Sequence, residues 1–271
     1  MWMRYWRFNL VAIFLVFGSV AQGQETRLEL INRVSLKADF IEVDNIGNLY
    51  TVFESQIIKR DLTGKELMKN SSLAFGKIHS LDATNALKML LYFKDLSQVV
   101  YLDNQLSARG DQLELDFMGY NQIVAICRSY NDGIWLYDQT TFDLLRLNEQ
   151  LEVSAQSGNL NQILGFVPDP NYIREYNNWV YVNDPEHGVL VFDWYGSYTK
   201  NIPITGLKKF VVRSNQLFFL KDNSLQSYDL ETAQFAEIKL LEQGIIDFSL
   251  FEDKLLLISQ NELIVYRIIV N

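Results

Sequence analysis

The amino-acid sequence predicts an all-β chain folded as a six-bladed β-propeller of four-stranded antiparallel blades. Three observations carry that expectation. First, the 271 residues fall into short runs rich in Val, Ile, Leu, Phe and Tyr, broken by Asn, Asp, Gly and Ser. No 3.6-residue period is sustained, which reads as strands and turns. Second, an apolar run closing on Asp recurs: Ile57-Ile58-Lys59-Arg60-Asp61, Val99-Val100-Tyr101-Leu102-Asp103, Ile134-Trp135-Leu136-Tyr137-Asp138, Leu190-Val191-Phe192-Asp193 and Leu225-Gln226-Ser227-Tyr228-Asp229. A sixth run, Leu263-Ile264-Val265-Tyr266-Arg267, carries Arg in place of the Asp, and the intervals are 42, 35, 55, 36 and 38 residues. Third, the 248 residues that follow a predicted export signal give about 41 per unit, within the roughly 40–50 of a propeller blade. A β-sandwich with coincidental spacing is the competing reading, and sandwiches rarely repeat one strand–turn–strand wording six times.

The N-terminus comes first. Met1-Trp2-Met3-Arg4-Tyr5-Trp6-Arg7 carries two positive charges and no acid, Leu10 to Phe17 is apolar, and Gly18-Ser19-Val20-Ala21-Gln22-Gly23 is mostly small. This is the three-part pattern of a secretory signal peptide, with cleavage expected after Gly23. The alternative is a membrane anchor, but the run from Leu10 to Ala21 spans 12 residues against the roughly 20 of a spanning helix. No Cys lies close behind the run, so a lipoprotein anchor is not expected. The expected organisation is therefore a signal peptide over residues 1–23 and one propeller domain over 24–271. Cleavage removes two Arg and no acid, taking the net charge from −9 to −11.

Each blade then needs an upstream strand, a hairpin and the Asp-closing run. In the first unit Phe40-Ile41-Glu42-Val43-Asp44 leads through Asn45-Ile46-Gly47-Asn48 into Leu49-Tyr50-Thr51-Val52-Phe53 and the run ending at Asp61. In the fifth, Phe210-Val211-Val212 leads through Ser214-Asn215 into Gln216 to Leu220 and the run ending at Asp229. A fourth segment, such as Phe142 to Leu147 after the third run, completes a four-stranded sheet. Continuous apolar runs suit strands covered on both faces by neighbouring blades. The sixth unit stops after its third strand, whereas Leu28 to Ser35 is an unassigned strand near the start. Pairing the two would seal the ring and leave no open edge.

The stretch Val43-Asp44-Asn45-Ile46-Gly47-Asn48-Leu49-Tyr50 and the repeated run-plus-Asp resemble the six-bladed propellers of the NHL and TolB-like type. The resemblance covers the chain after the signal at the level of architecture, and only the first blade has the Asp-x-x-Gly-Asn-aliphatic-Tyr wording in full. Gluconolactonase-type enzymes of this fold imply a divalent cation held in the central channel by Glu, Asn and Asp. The matching inner strands are read at 40–43, 78–81, 115–118, 173–176, 210–213 and 245–248, so Glu42, Asp116, Glu175 and Asp247 are the candidate ligands for Ca2+. The alternative is that blade-to-blade hydrogen bonding and solvated channel polarity account for these acids. No Asn accompanies them, and His79, Arg174 and Arg213 lie at similar levels.

Other chemistry is sparse. One Cys and two His leave no disulfide framework and little for zinc. The acidic balance argues against a nucleic-acid surface, which needs clustered Lys and Arg. His187 sits in Asp184-Pro185-Glu186-His187-Gly188, a sequence a hairpin loop demands. Cys127 lies in an apolar strand, where a thiol is usually a small buried hydrophobe. Arg109-Gly110-Asp111 matches an adhesion tripeptide but is only three residues before a strand. No nucleophile elbow, phosphate loop or dinucleotide fingerprint occurs.

The departure from the repeat is the 55-residue interval between Asp138 and Asp193, and all four Pro fall between positions 168 and 203. An added segment is expected over residues 154–172, either as an apolar-tipped functional loop or as a cap packed back on the ring. With the nearby turn Trp194-Tyr195-Gly196-Ser197-Tyr198, it makes Phe166, Tyr172, Trp194, Tyr195 and Tyr198 the candidate partner-binding residues. The expected protein is an exported, non-catalytic interaction subunit without cofactor, in the periplasm or outside the cell. It would be a monomer within a hetero-complex, bound to an envelope or outer-membrane protein of a transport or secretion assembly. The alternatives are a cation-dependent, gluconolactonase-like hydrolase and a carbohydrate-binding propeller using Trp179, Trp194 and Tyr195.

Overall fold

The computed structural model describes residues 26–70 and 76–270; the predicted signal peptide lies outside them. Six four-stranded antiparallel sheets follow one another around a ring. Blade 1 comprises Phe40–Val43, Leu49–Phe53, Gln56–Arg60 and Glu66–Asn70, and blade 2 comprises Ser80–Asp82, Met89–Phe93, Gln98–Leu102 and Leu113–Glu114. Blade 3 is Ile123–Arg128, Ile134–Asp138, Asp143–Leu147 and Val153–Gln156, and blade 4 is Tyr172–Tyr176, Trp179–Asp184, Gly188–Asp193 and Tyr198–Ile202. Blade 5 is Phe210–Arg213, Gln216–Lys221, Ser224–Asp229 and Phe235–Lys239. Blade 6 takes Asp247–Phe251, Lys254–Ile258 and Glu262–Val270 from the end of the chain and its outer strand, Thr26–Ser35, from the beginning. That pair runs antiparallel from Thr26 opposite Val270 to Ser35 opposite Glu262, with one bulge at Ile31. The expected closure of the ring is therefore present.

The core consists of six buried clusters, one in each seam between adjacent blades. Strand Lys254–Ile258 shows why the runs read as continuous apolar segments. Leu255 and Leu257 pack toward blade 5, while Leu256 and Ile258 pack toward blade 1. With period-two alternation, a strand sandwiched between two sheets needs an apolar residue at every position.

Blade 3 differs from its expected phase. Ile134–Asp138 is the second strand rather than the third, and Asp143–Leu147 is the third rather than the outermost. The position equivalent to the closing Asp is Asn148, whose Oδ1 accepts from Glu152 N at 2.9 Å. Most of the 55-residue interval is thus a phase difference, and the true excess is the connection 157–171, longer than the connections 115–122, 203–209 and 240–246. The inner strand of blade 3 is Ile123–Arg128, not 115–118. Asp116–Met118 forms a short 3-10 turn in the preceding connection, with Phe117 fully out in solvent.

Strand direction alternates outward through each blade, so the ring has two unlike faces. The inner-to-second and third-to-outer turns share one, here the turn face. The second-to-third turns and the connections between blades share the other, the connection face.

Candidate functional site

The channel is crossed by charge. Arg174, the third residue of the inner strand of blade 4, reaches Glu42 of blade 1 with Nη2 at 3.2 Å and Asp82 of blade 2 with Nη1 at 3.0 Å. Blades 1 and 4 are opposite in a ring of six, so this guanidinium spans the axis. Lys209, from the connection entering blade 5, places Nζ 3.1 Å from Glu42, 3.2 Å from Asp247 and 2.6 Å from the Ile41 carbonyl. All five side chains are nearly buried. The Tyr172 hydroxyl accepts from Arg174 Nε at 3.1 Å and Nη2 at 2.7 Å, and its ring packs edge-on against Phe210.

These contacts set the protonation states. Burial opposes the charge on Arg174, but the Tyr172 hydroxyl, Asp82 and Glu42 outweigh it and hold the guanidinium well above its ordinary pKa. Burial likewise pushes Asp82 up, yet Arg174, Thr84 and the Arg128 amide leave it below the usual carboxylate range. Lys209 is raised, its desolvation overcome by Asp247 and Glu42. Asp247 goes the other way, because burial outweighs Lys209 and the Ile41 N–H.

The four acids expected around a cation are not gathered. Glu42 and Asp247 converge on the Lys209 ammonium, which occupies the point between two carboxylates where a cation would sit. Glu175 points away from the channel into the seam with blade 3, accepting from Ser129 Oγ at 2.5 Å, Trp135 Nε1 at 2.6 Å and Tyr130 N at 3.2 Å. Asp116 stands on the connection before blade 3. Among the described residues no group of three or more His, Cys, Asp or Glu has a metal-holding arrangement. The donor set present does not fit Ca2+, which takes 6–8 oxygens around it.

The five candidate partner residues divide between regions. Phe166 follows the one α-helix among the described residues, Leu160–Leu164, whose Leu160 is buried in the seam between blades 3 and 4. The Phe166 ring stacks on His187 at 3.7 Å and 10° on the connection face, so this segment is a cap. His187 Nδ1 in turn lies 3.0 Å from Asp184. Tyr172 belongs to the channel network, and Tyr198 packs against Phe192. Trp194 and Tyr195 remain, 39% and 62% exposed on the turn face. Their rings lie 4.6 Å apart, and Tyr130 from the inner turn of blade 3 approaches Trp194 at 5.8 Å.

This aromatic cluster is braced from below. Arg146 holds its guanidinium 4.0 Å under the Tyr130 ring while donating to the Tyr130 carbonyl, Ser129 Oγ and Ser154 Oγ. The Asp193 carboxylate accepts from Tyr195 N and Ser197 N, both at 2.9 Å, which shapes the 194–197 turn. Gly196, at φ +85°, lies so close to the outer strand of blade 3 that a Cβ would come within 2.9 Å of Gln156 backbone. Blades 3 and 4 thus present one continuous aromatic surface. Tyr130 escaped the sequence reading because it sits in a turn, Tyr130-Asn131-Asp132-Gly133, that looks purely conformational. Cys127 is buried and its thiol pushed well up by burial.

No family model matches the sequence, and no curated relative matches it. Solved structures do resemble it in fold. A virginiamycin B lyase from Staphylococcus aureus superposes with a TM-score of 0.63 at 11% identity, covering 90% of this chain and 100% of that one. The Pan2 WD40 domain of Neurospora crassa gives 0.59 at 10% identity, covering 89% and 95%. BamB from Moraxella catarrhalis gives 0.52 at 9% identity, covering 89% and 98%. At these identities the likeness is one of fold alone: the chain is a six-bladed β-propeller.

Proposed function

We propose that this protein is an exported, non-catalytic propeller that serves as a protein-interaction subunit of a cell-envelope or outer-membrane transport or secretion assembly. The observation that carries the reading is the Tyr130, Trp194 and Tyr195 cluster, with Tyr130 stacked on Arg146 and the cluster open to solvent on one face. Buried aromatic anchors ringed by polar groups supply most of the binding energy at protein interfaces. Three further features support it. The N-terminal 23 residues have the pattern of an export signal, with cleavage expected after Gly23. The channel acids are engaged by Arg174 and Lys209 rather than free for general acid–base work. The acidic net charge of −9 favours a partner with a neutral or basic contact surface.

The test is cross-linked affinity capture of the tagged full chain from envelope membranes, with mass spectrometry of both bait and prey. The bait is expected to begin at Gln24 and to bring down one stoichiometric protein. Replacing the central anchor, Trp194→Ala, is expected to weaken that complex by about 2 kcal/mol, roughly thirtyfold, with the melting temperature unchanged. Capture of no partner, or a partner held equally by Trp194→Ala, sinks the reading.

A further inference from the structure

We propose that the crevice between blades 4 and 5 on the turn face is a saccharide-binding groove, taking a neutral oligosaccharide with Trp179 as its stacking platform. It goes beyond the interaction reading and lies on the opposite flank of blade 4 from the Trp194 cluster. The groove holds about 390 Å³, with Tyr176, Trp179 and Tyr181 from blade 4 facing Asn215, Leu230 and Glu231 from blade 5. That volume lies in the range of pockets that take small ligands.

The groove is built by two tight hairpins. Tyr176 and Trp179 pair across the two-residue turn Asn177-Asn178, whose φ angles are +49° and +63°. The matching turn of blade 5, Ser214-Asn215, has +47° and +62°. Such left-handed pairs are the tight turns that follow strand twist, and Asn tolerates them. Ser214 N donates to the Tyr176 hydroxyl at 3.1 Å, tying one hairpin to the other across the seam. Tyr181 forms a buried floor, whereas Trp179 keeps 40% of its surface in solvent.

The polar groups around the indole are uncommitted. Asn177, Asn215 and Glu231 are exposed, and among the described residues no hydrogen bond or ion pair engages their side chains. Lys200 lies at the outer end, its Nζ 3.4 Å from the Leu230 carbonyl. A pyranose ring has one face of C–H groups, which suits the negative face of an aromatic ring, and a rim of hydroxyls that both donate and accept. Amide and carboxylate side chains beside an indole satisfy both halves at once. An aliphatic side chain laid over them would bury Asn215 and Glu231 without partners, which is costly. An anionic ligand would meet Glu231 on a chain of net charge −9.

The experiment titrates the full mature protein with chitotetraose, cellotetraose and maltotetraose, followed by calorimetry and tryptophan emission. At least one is expected to bind with a Kd of about 1 mM or tighter. Trp179→Ala is expected to weaken it at least about tenfold and Asn215→Ala to weaken it measurably, while Trp179→Phe retains part of the binding. The Trp194→Ala variant is expected to bind the saccharide as the wild type does, which separates this groove from the protein-contact cluster. Melting curves of each variant show whether the fold is kept. Absence of binding by all three saccharides, or binding untouched in a folded Trp179→Ala, overturns the proposal.

Discussion

Arg174 and Lys209 decide what the channel contains. Each sits between carboxylates from other blades, so removing either leaves buried negative charge without a partner. Such a deletion typically costs about 3–5 kcal/mol, more than the pair itself contributes. Arg174→Met is therefore expected to lower the unfolding free energy read from urea denaturation by that amount, and adding Asp82→Asn to recover part of it, as a double-mutant cycle will show. Acid has a related effect. The Asp82 carboxyl is held below its ordinary 3.8 in the folded chain, so the unfolded chain binds its proton first as pH falls. The stabilisation is complete above about pH 4 and is lost on descending through that range. Asp247, pushed up by burial, acts in the opposite sense. The prediction is thus a difference: the melting temperature of Asp82→Asn is expected to fall less steeply than that of the wild type below about pH 4. In the sequence Glu42 and Asp247 are visible as acids on inner strands, but Lys209 is not visible as their partner. It comes from a connection, and its contact with blades 1 and 6 exists only once the ring is closed.

At the scale of single elements, the recurring Asp is a turn device. Asp61, Asp103, Asp193 and Asp229 each accept from backbone N–H groups two to four residues ahead, shaping the third-to-outer hairpin of their blades. Asp138 caps the second-to-third turn of blade 3 in the same way, through Thr140 N. One wording therefore serves two places in a blade, and the blade 3 phase was not legible for that reason. Periodicity offered no correction, since second and third strands are both apolar on both faces. The fold class survived the slip because blade count depends on recurrence rather than phase. A glycine marks the other kind of turn constraint. Gly188 has φ +112°, and a Cβ there would meet the Ile202 carbonyl at 2.4 Å. Gly188→Ala is expected to cost about 2 kcal/mol or more, from backbone strain and overpacking together. Thermal denaturation reads the loss, and an alanine variant as stable as the wild type would show that the outer strand of blade 4 gives way easily.

The whole ring depends on one noncovalent joint. Five blades are continuous in sequence, while blade 6 is assembled from both ends of the described chain. Its outer strand contributes Leu28 to the seam with blade 5 and Ile31 and Val34 to the seam with blade 1. Val34 also packs against Gly64, where a Cβ would come within 2.8 Å of it, so the strand is keyed to the blade 1 hairpin as well as paired with Glu262–Val270. Removing residues 24–36 strips four half-buried apolar side chains, Leu36 together with the three above, and bares the edge of the Glu262–Val270 strand. Burial of this kind is worth about 1.5–3 kcal/mol for a fully covered side chain, so a combined loss of about 4 kcal/mol is expected. For a chain of this size that lowers the melting temperature by roughly 10 °C. Because every seam is shared by two blades, the intact ring is expected to unfold in one transition, and the truncated ring in a broader one as blade 6 loosens first. A synthetic peptide of residues 24–36 added to the truncated protein is expected to pair with the bared edge and restore the melting temperature. An unshifted melting temperature after truncation would show that the other five seams hold the ring without its terminal joint, and failure of the peptide to rescue a lowered one would place the loss elsewhere than in strand pairing.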